Sequence, residues 1–89
     1  MAKKRERLEI IKDILRAIMN KRSLKPTRLL YASNLSPQMF KDYVGELLSK
    51  GLIKEELIKK QKYFMLTKKG TEFIEQYKVI ENFVQNFGL

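Results

Sequence analysis

The stretch LIKEELIKKQKYFMLTKKG, from Leu52 to Gly70, holds two short apolar runs separated by a lysine-rich tip. Leu52 and Ile53 open a first strand. In the second, Phe64 and Leu66 point inward and Tyr63 and Met65 outward, by the two-residue period of a strand. Lys59, Lys60 and Lys62 crowd the tip between them. No Gly, Asn or Pro stands between Lys54 and Lys69, so no residue dictates the turn type. Leu57 and Ile58, apolar and next to the tip, have three roles open to them, packing back on the domain, meeting a second subunit or touching a sugar edge, of which packing back is the expected one. Thr67 is the expected cap of the helix that follows.

Upstream lies a second unit with its own punctuation. Ser36 caps a helix that has Pro37 in its first position. Phe40, Val44, Leu47 and Leu48 form its buried stripe, with Met39 and Tyr43 at the core edge. Ser33-Asn34-Leu35-Ser36 reads as a tight turn in which Asn34 takes the left-handed conformation and Leu35 plugs the core. Before it, Pro26 starts a short helix with Thr27 as its expected cap, followed by apolar Leu29, Leu30 and Tyr31. Asn20 to Lys25 reads as a polar turn. The first helix is expected from about Arg5 to Asn20, with Leu8, Ile11, Leu15 and Ile18 at helical spacing, Ile14 beside them, and Lys12 and Arg16 on the solvent side. Helix, turn, helix and basic hairpin in this order predict a mostly α domain with a small β-hairpin, a winged helix-turn-helix.

The face of the second unit's last helix opposite its stripe carries Gln38, Lys41, Asp42 and Gly45. Gln pairs bidentately with adenine, Lys donates to guanine or phosphate, and Gly lets a helix approach a duplex closely. Asp42 repels phosphate unless it is paired, and Lys41 or Lys50 is its expected partner. The expected DNA-contacting set is Thr27, Arg28, Ser36, Gln38, Lys41, Lys59, Lys60 and Lys62. A mixed, weakly basic helix face argues for low sequence specificity.

After Thr67, the residues Phe73, Tyr77, Ile80, Val84 and Phe87 are spaced four, three, four and three apart, the spacing of a coiled-coil seam. Ile74 and Phe83 widen the stripe. A three-helix domain has too little surface to cover such a helix, so it should protrude and bury its stripe against a second copy. The expected organisation is a DNA-binding domain over residues 1–68 and a dimerisation helix over 69–89.

The chain has 89 residues, 19 Lys+Arg, 10 Asp+Glu and a net charge of +9, enough for one small domain. The charge is segregated: residues 1–30 hold ten basic and three acidic residues, whereas residues 70–89 hold one and three. Two faces with different partners are implied, the basic one suited to double-stranded DNA. The Lys3-Lys4-Arg5 arm is a further candidate for nucleic-acid contact. Neither Cys nor His is present, which removes disulfides, thiolate and imidazole chemistry and the usual zinc sites. No cofactor, metal, small-molecule substrate or enzymatic activity is expected. No apolar run reaches signal-peptide or membrane-span length, and a cytoplasmic, nucleoid-associated protein is expected.

Pro26-Thr27-Arg28-Leu29-Leu30-Tyr31-Ala32-Ser33-Asn34-Leu35-Ser36, Tyr63-Phe64-Met65-Leu66-Thr67-Lys68-Lys69-Gly70 and the opening MAKK followed by Leu8-Glu9-Ile10-Ile11 resemble the Sulfolobus 10a-type family of small archaeal DNA-binding proteins. The resemblance spans nearly the whole chain, and its most specific part is the Thr-Arg-x-x-Tyr-x-x-Asn-Leu-Ser string. It implies an elongated homodimer of winged-helix heads, joined by an antiparallel coiled coil of the last helices, in chromatin organisation or regulation. The chain departs from the family in a longer wing without a turn glycine and in a shorter final helix, which bear on wing contacts and head spacing. Three readings stand: an architectural DNA-binding dimer, a site-specific transcriptional regulator, and a winged-helix protein-interaction module.

Overall fold

Ile10, Ile11, Ile14, Leu15 and Ile18 recur at three- and four-residue intervals and are buried along one stripe of helix α1 (Arg7–Lys21). This stripe is the axis of the core. The computed structural model describes residues 5–89, so of the expected basic arm only Arg5 falls within it. Arg5 does not begin the helix. Its guanidinium instead pairs with Asp13 at 2.9 Å and donates to the Ser33 carbonyl at 2.7 Å. Leu8 was expected in the buried stripe but is 52% exposed, because it sits on the first turn, beside the far half of the last helix rather than over the core.

The segment expected as a polar turn contains a strand, β1 (Ser23–Leu24). Two residues are too few to show a period. Helix α2 (Pro26–Ser33) starts at Pro26 as expected, but Lys25, not Thr27, is the N-cap residue, and it makes no side-chain capping bond. Pro26 explains this, since a ring that lacks N–H and presets φ belongs at the first helical position. Tyr31 is exposed although its neighbours are apolar. It lies two residues, about 200° of helical turn, from buried Leu29.

Asn34 ends α2 at φ 56°, in the left-handed region expected of it. Helix α3 (Pro37–Ser49) then begins as its sequence indicates, with the Ser36 hydroxyl accepting from the Met39 N–H at 3.3 Å. Val44 and Leu47 are buried, and Phe40, Leu48, Leu35 and Tyr43 pack on the core from its edge. Met39 is exposed.

Strands β2 (Ile53–Ile58) and β3 (Gln61–Leu66) pair antiparallel, and β1 joins the other side of β3, giving the order β1-β3-β2. Ile53 and Phe64 anchor the hairpin in the core. Leu57 lies on the same face as Ile53 but four residues, about 13 Å, nearer the tip. It is therefore beyond the reach of the head and is 78% exposed, and Ile58 is exposed too. The expectation that these two pack back is overturned by strand length.

Ile58 opposite Gln61 closes the hairpin around a two-residue turn, with Lys59 at φ 51° and Lys60 at φ 67°. Two positive φ values mark the turn whose twist suits a hairpin and which Asn-Gly favours. An L-residue with a Cβ is held there at a cost of about 1–2 kcal/mol. Lys60→Gly should therefore raise stability by about 1 kcal/mol, a rise in Tm of roughly 4–8 °C for a domain of this size, readable by thermal circular dichroism at fixed protein concentration. No gain in Tm would mean that the tip is relaxed in the wild type.

Helix α4 (Lys68–Asn86) is capped as expected, the Thr67 hydroxyl accepting from the Gly70 N–H at 3.1 Å. Gly70 is buried against the chain leaving α3. A Cβ at this position would stand 2.1 Å from the Leu52 carbonyl oxygen. Ile74 is buried in the core and Phe73 packs at its edge, while the helix beyond Tyr77 is mostly exposed.

Candidate nucleic-acid interface

Gln38, Lys41, Asp42 and Gly45 stand together on the exposed side of α3. Asp42 is paired, but with neither lysine expected of it. The Gln38 amide donates to its carboxylate at 3.1 Å, because a four-residue spacing places the two side chains on one helix face. Lower on the helix, Glu46 accepts from Arg7 and lies 3.9 Å from Lys50. Arg7 also stands over the ring of Tyr43. The face of α3 is thus close to neutral, with its carboxylates occupied. Gly45 has open space at its Cβ position, which leaves the middle of the helix flat.

The wing is less basic than its lysine count suggests. Lys62 lies 3.2 Å from Glu55 and Lys54 lies 3.5 Å from Glu56. Among the described residues, Lys59 and Lys60 at the tip have no carboxylate partner.

Thr27 and Arg28 are exposed on the first turn of α2. The register places them near the wing: Leu24 pairs with Phe64, so the chain leaving β1 runs toward the tip, and the Lys25 ammonium lies 5.9 Å from the centre of the Tyr63 ring. Lys21, Lys25 and Tyr63 adjoin Arg28 around one shallow hollow. Sequence reasoning missed this grouping. Its signal was Lys21-Arg22-Ser23-Leu24-Lys25, a basic run free of acid, obscured by reading the segment as a plain turn.

The five seam residues of α4 divide into two sets. Phe73 and Tyr77 are half-buried within the head, with ring centroids 6.1 Å apart. Ile80, Val84 and Phe87 are exposed, at 57%, 37% and 68%. Leu8 of α1 joins Ile80 and Val84 along one groove of about 440 Å³. The expectation that Lys12 and Arg16 form a plain solvent face is corrected by Glu81, which accepts from Arg16 at 2.6 Å and lies 3.7 Å from Lys12. The Arg16 hydrogen bond holds the Glu81 carboxyl below the usual carboxylate range. Its charge therefore persists to lower pH folded than unfolded, and this ion pair supports the fold until pH falls through the lowered value.

Among the described residues no cluster of His, Cys, Asp or Glu could hold a metal ion. Among the described residues no helix is long and apolar enough to cross a membrane. The fold is similar to that of Sso10a-2, a DNA-binding protein from Sulfolobus solfataricus, with a TM-score of 0.77 and 22% identity over 93% of this chain and 85% of that one. It is also similar to a MarR family transcriptional regulator from Silicibacter pomeroyi, with a TM-score of 0.74 and 17% identity over 89% of this chain and 56% of the other. In sequence the chain is 38% identical, over 73 residues, to an uncharacterized protein of Methanocaldococcus jannaschii, covering 82% of this chain and 32% of that protein. The chain spans about one third to two thirds of the length of the curated relatives it matches. The model of a winged helix-turn-helix family matches residues 4–85, the span that holds the capped α3, the three-stranded sheet and most of α4, and the chain belongs to that family.

Proposed function

We propose that the chain binds double-stranded DNA as a homodimer with low sequence specificity, in an architectural, nucleoid-associated role, and has no enzymatic activity. The observation that carries this reading is the near-neutral, flat face of α3 in a head whose wing tip and α2 start expose Lys59, Lys60 and Arg28, cations without a carboxylate partner among the described residues. Such an arrangement suits a helix lying in the major groove while cations beside it neutralise phosphates. Thr27 and Ser36 would add hydroxyl contacts to the backbone, and Gln38 and Lys41 would reach base edges. Residues 1–68 would be the DNA-binding head. Residues 69–89 would join two heads through an antiparallel coiled coil that buries Ile80, Val84 and Phe87 and completes the burial of Phe73 and Tyr77, a role supported by the exposure of the first three. The likeness to Sso10a-2 supports the same reading.

Gel shifts on random and defined duplexes at several salt concentrations test it. If each dimer neutralises six to eight phosphates, log affinity should fall against log salt with a slope of about −5 to −7, at about −0.9 per phosphate. A slope near zero would refute electrostatic DNA binding. A site-specific regulator is the second reading, favoured by the Gln38 amide, which Asp42 holds in one orientation. Strong preference for one defined duplex, lost in Gln38→Ala, would select it.

A further inference from the structure

The proposed duplex contacts concern α3, the start of α2 and the wing, and around one of them, Arg28, lies a denser group of free cations. Lys21 closes α1, Lys25 precedes α2, Arg28 is on its first turn, and Tyr63 comes from β3. These four side chains border one hollow of about 350 Å³. Among the described residues none of the three cations has a carboxylate partner, whereas Arg5, Arg7, Lys12, Arg16, Lys54 and Lys62 are all paired. No acidic residue occurs between Asp13 and Asp42. The Tyr63 ring lies under Lys25, giving that side chain a contact near the hollow. Tyr63 is three residues, about 10 Å, from Lys60 at the wing tip, so the hollow and the tip lie near one another along β3.

We propose that Lys21, Lys25 and Arg28, arranged around Tyr63, form a phosphate-backbone anchor that supplies more of the binding affinity than the wing tip does. The partner is a run of successive phosphates on one DNA strand. Several cations without acidic neighbours match a polyanion of regular spacing, and wherever charge is neutralised on the duplex, counterions are released. The wing, with Glu55 and Glu56 on its strand, opposes part of its own lysine charge; the corner carries no such opposition. The proposal rests on the duplex-binding reading above.

Fluorescence anisotropy of a labelled random duplex, titrated with the full chain at several salt concentrations, tests it on four proteins. These are the wild type, Lys21→Gln/Lys25→Gln/Arg28→Gln at the corner, Lys59→Gln/Lys60→Gln/Lys62→Gln at the tip, and Lys68→Gln/Lys69→Gln/Lys78→Gln on α4 as a control of equal net charge. The corner variant should bind at least tenfold more weakly at about 0.1 M salt, and its salt slope should flatten by about 0.9 for each phosphate released. Its Tm should match the wild type, since Lys21, Lys25 and Arg28 are exposed. The tip variant should lose less affinity and the α4 control least. If the wild type binds and the corner variant keeps its affinity and slope, or loses no more than the tip variant or the control, the anchor is refuted while duplex binding stands. If the wild type does not bind, the duplex reading itself fails and the anchor falls with it.

Discussion

If the proposed homodimer forms through α4, Ile80→Asp should convert it to a monomer, or leave it unfolded, as read by sedimentation equilibrium. Ile80 is 57% exposed in the single chain, so a carboxylate there costs the isolated head little. Between two helices it would be an unpaired charge in an apolar contact, at several kcal/mol. DNA affinity should fall with it. Two linked heads gain from effective concentration, so a folded monomer should bind about 10²-fold or more weakly with every DNA-facing residue intact. A wild type that sediments as a monomer at micromolar concentration, or an Ile80→Asp protein that remains dimeric, would refute the coiled-coil interface.

Of the four glycines, Gly70 should be the one that tolerates an added methyl least, so that Gly70→Ala destabilises the fold. Its Cβ would meet the Leu52 carbonyl at 2.1 Å, with the Leu66 side chain at 3.3 Å on another side. That carbonyl is backbone and already accepts from the Thr67 N–H at 3.2 Å, so it cannot swing aside as a side-chain end would. Either α4 shifts outward, uncovering Ile74, or the Leu52 peptide gives up its bond. Overpacking of this kind costs about 1–3 kcal/mol, and a drop in Tm of about 4–24 °C is expected at roughly 4–8 °C per kcal/mol. At Gly45, where nothing lies within 4 Å, Ala should be neutral or stabilising by helix propensity. Equal melting of the two variants would show that α4 does not pass Leu52 closely.

The helices were legible because their punctuation is local. Ser36-Pro37, Asn34 and Thr67 each act within three or four residues, and the core stripes of α1 and α3 repeat often enough to be read. What escaped the sequence depends on partners distant along the chain. β1 exists because Ser23 and Leu24 meet Met65 and Phe64. The role of Gly70 requires Leu52, and the pairing of Lys12 and Arg16 requires Glu81. Thr27 was misplaced as a cap because Pro26 already filled the first helical position. Asp42 found Gln38 instead of a lysine, since face geometry outranks charge alone at short range. Leu57 failed as a packing residue for reasons of distance, which an alternation pattern does not encode.

The left-handed lysines at the wing tip have a kinetic consequence. A hairpin closed by a favourable turn can form early from local contacts, but Lys59 and Lys60 oppose their own turn. The ladder from Ile53–Leu66 to Ile58–Gln61 must therefore zip outward from the end held by Ile53 and Phe64, after α1 has supplied a surface for them. Substitutions at the tip should then leave the refolding rate nearly unchanged and act mainly on unfolding, the behaviour of a region absent from the folding nucleus.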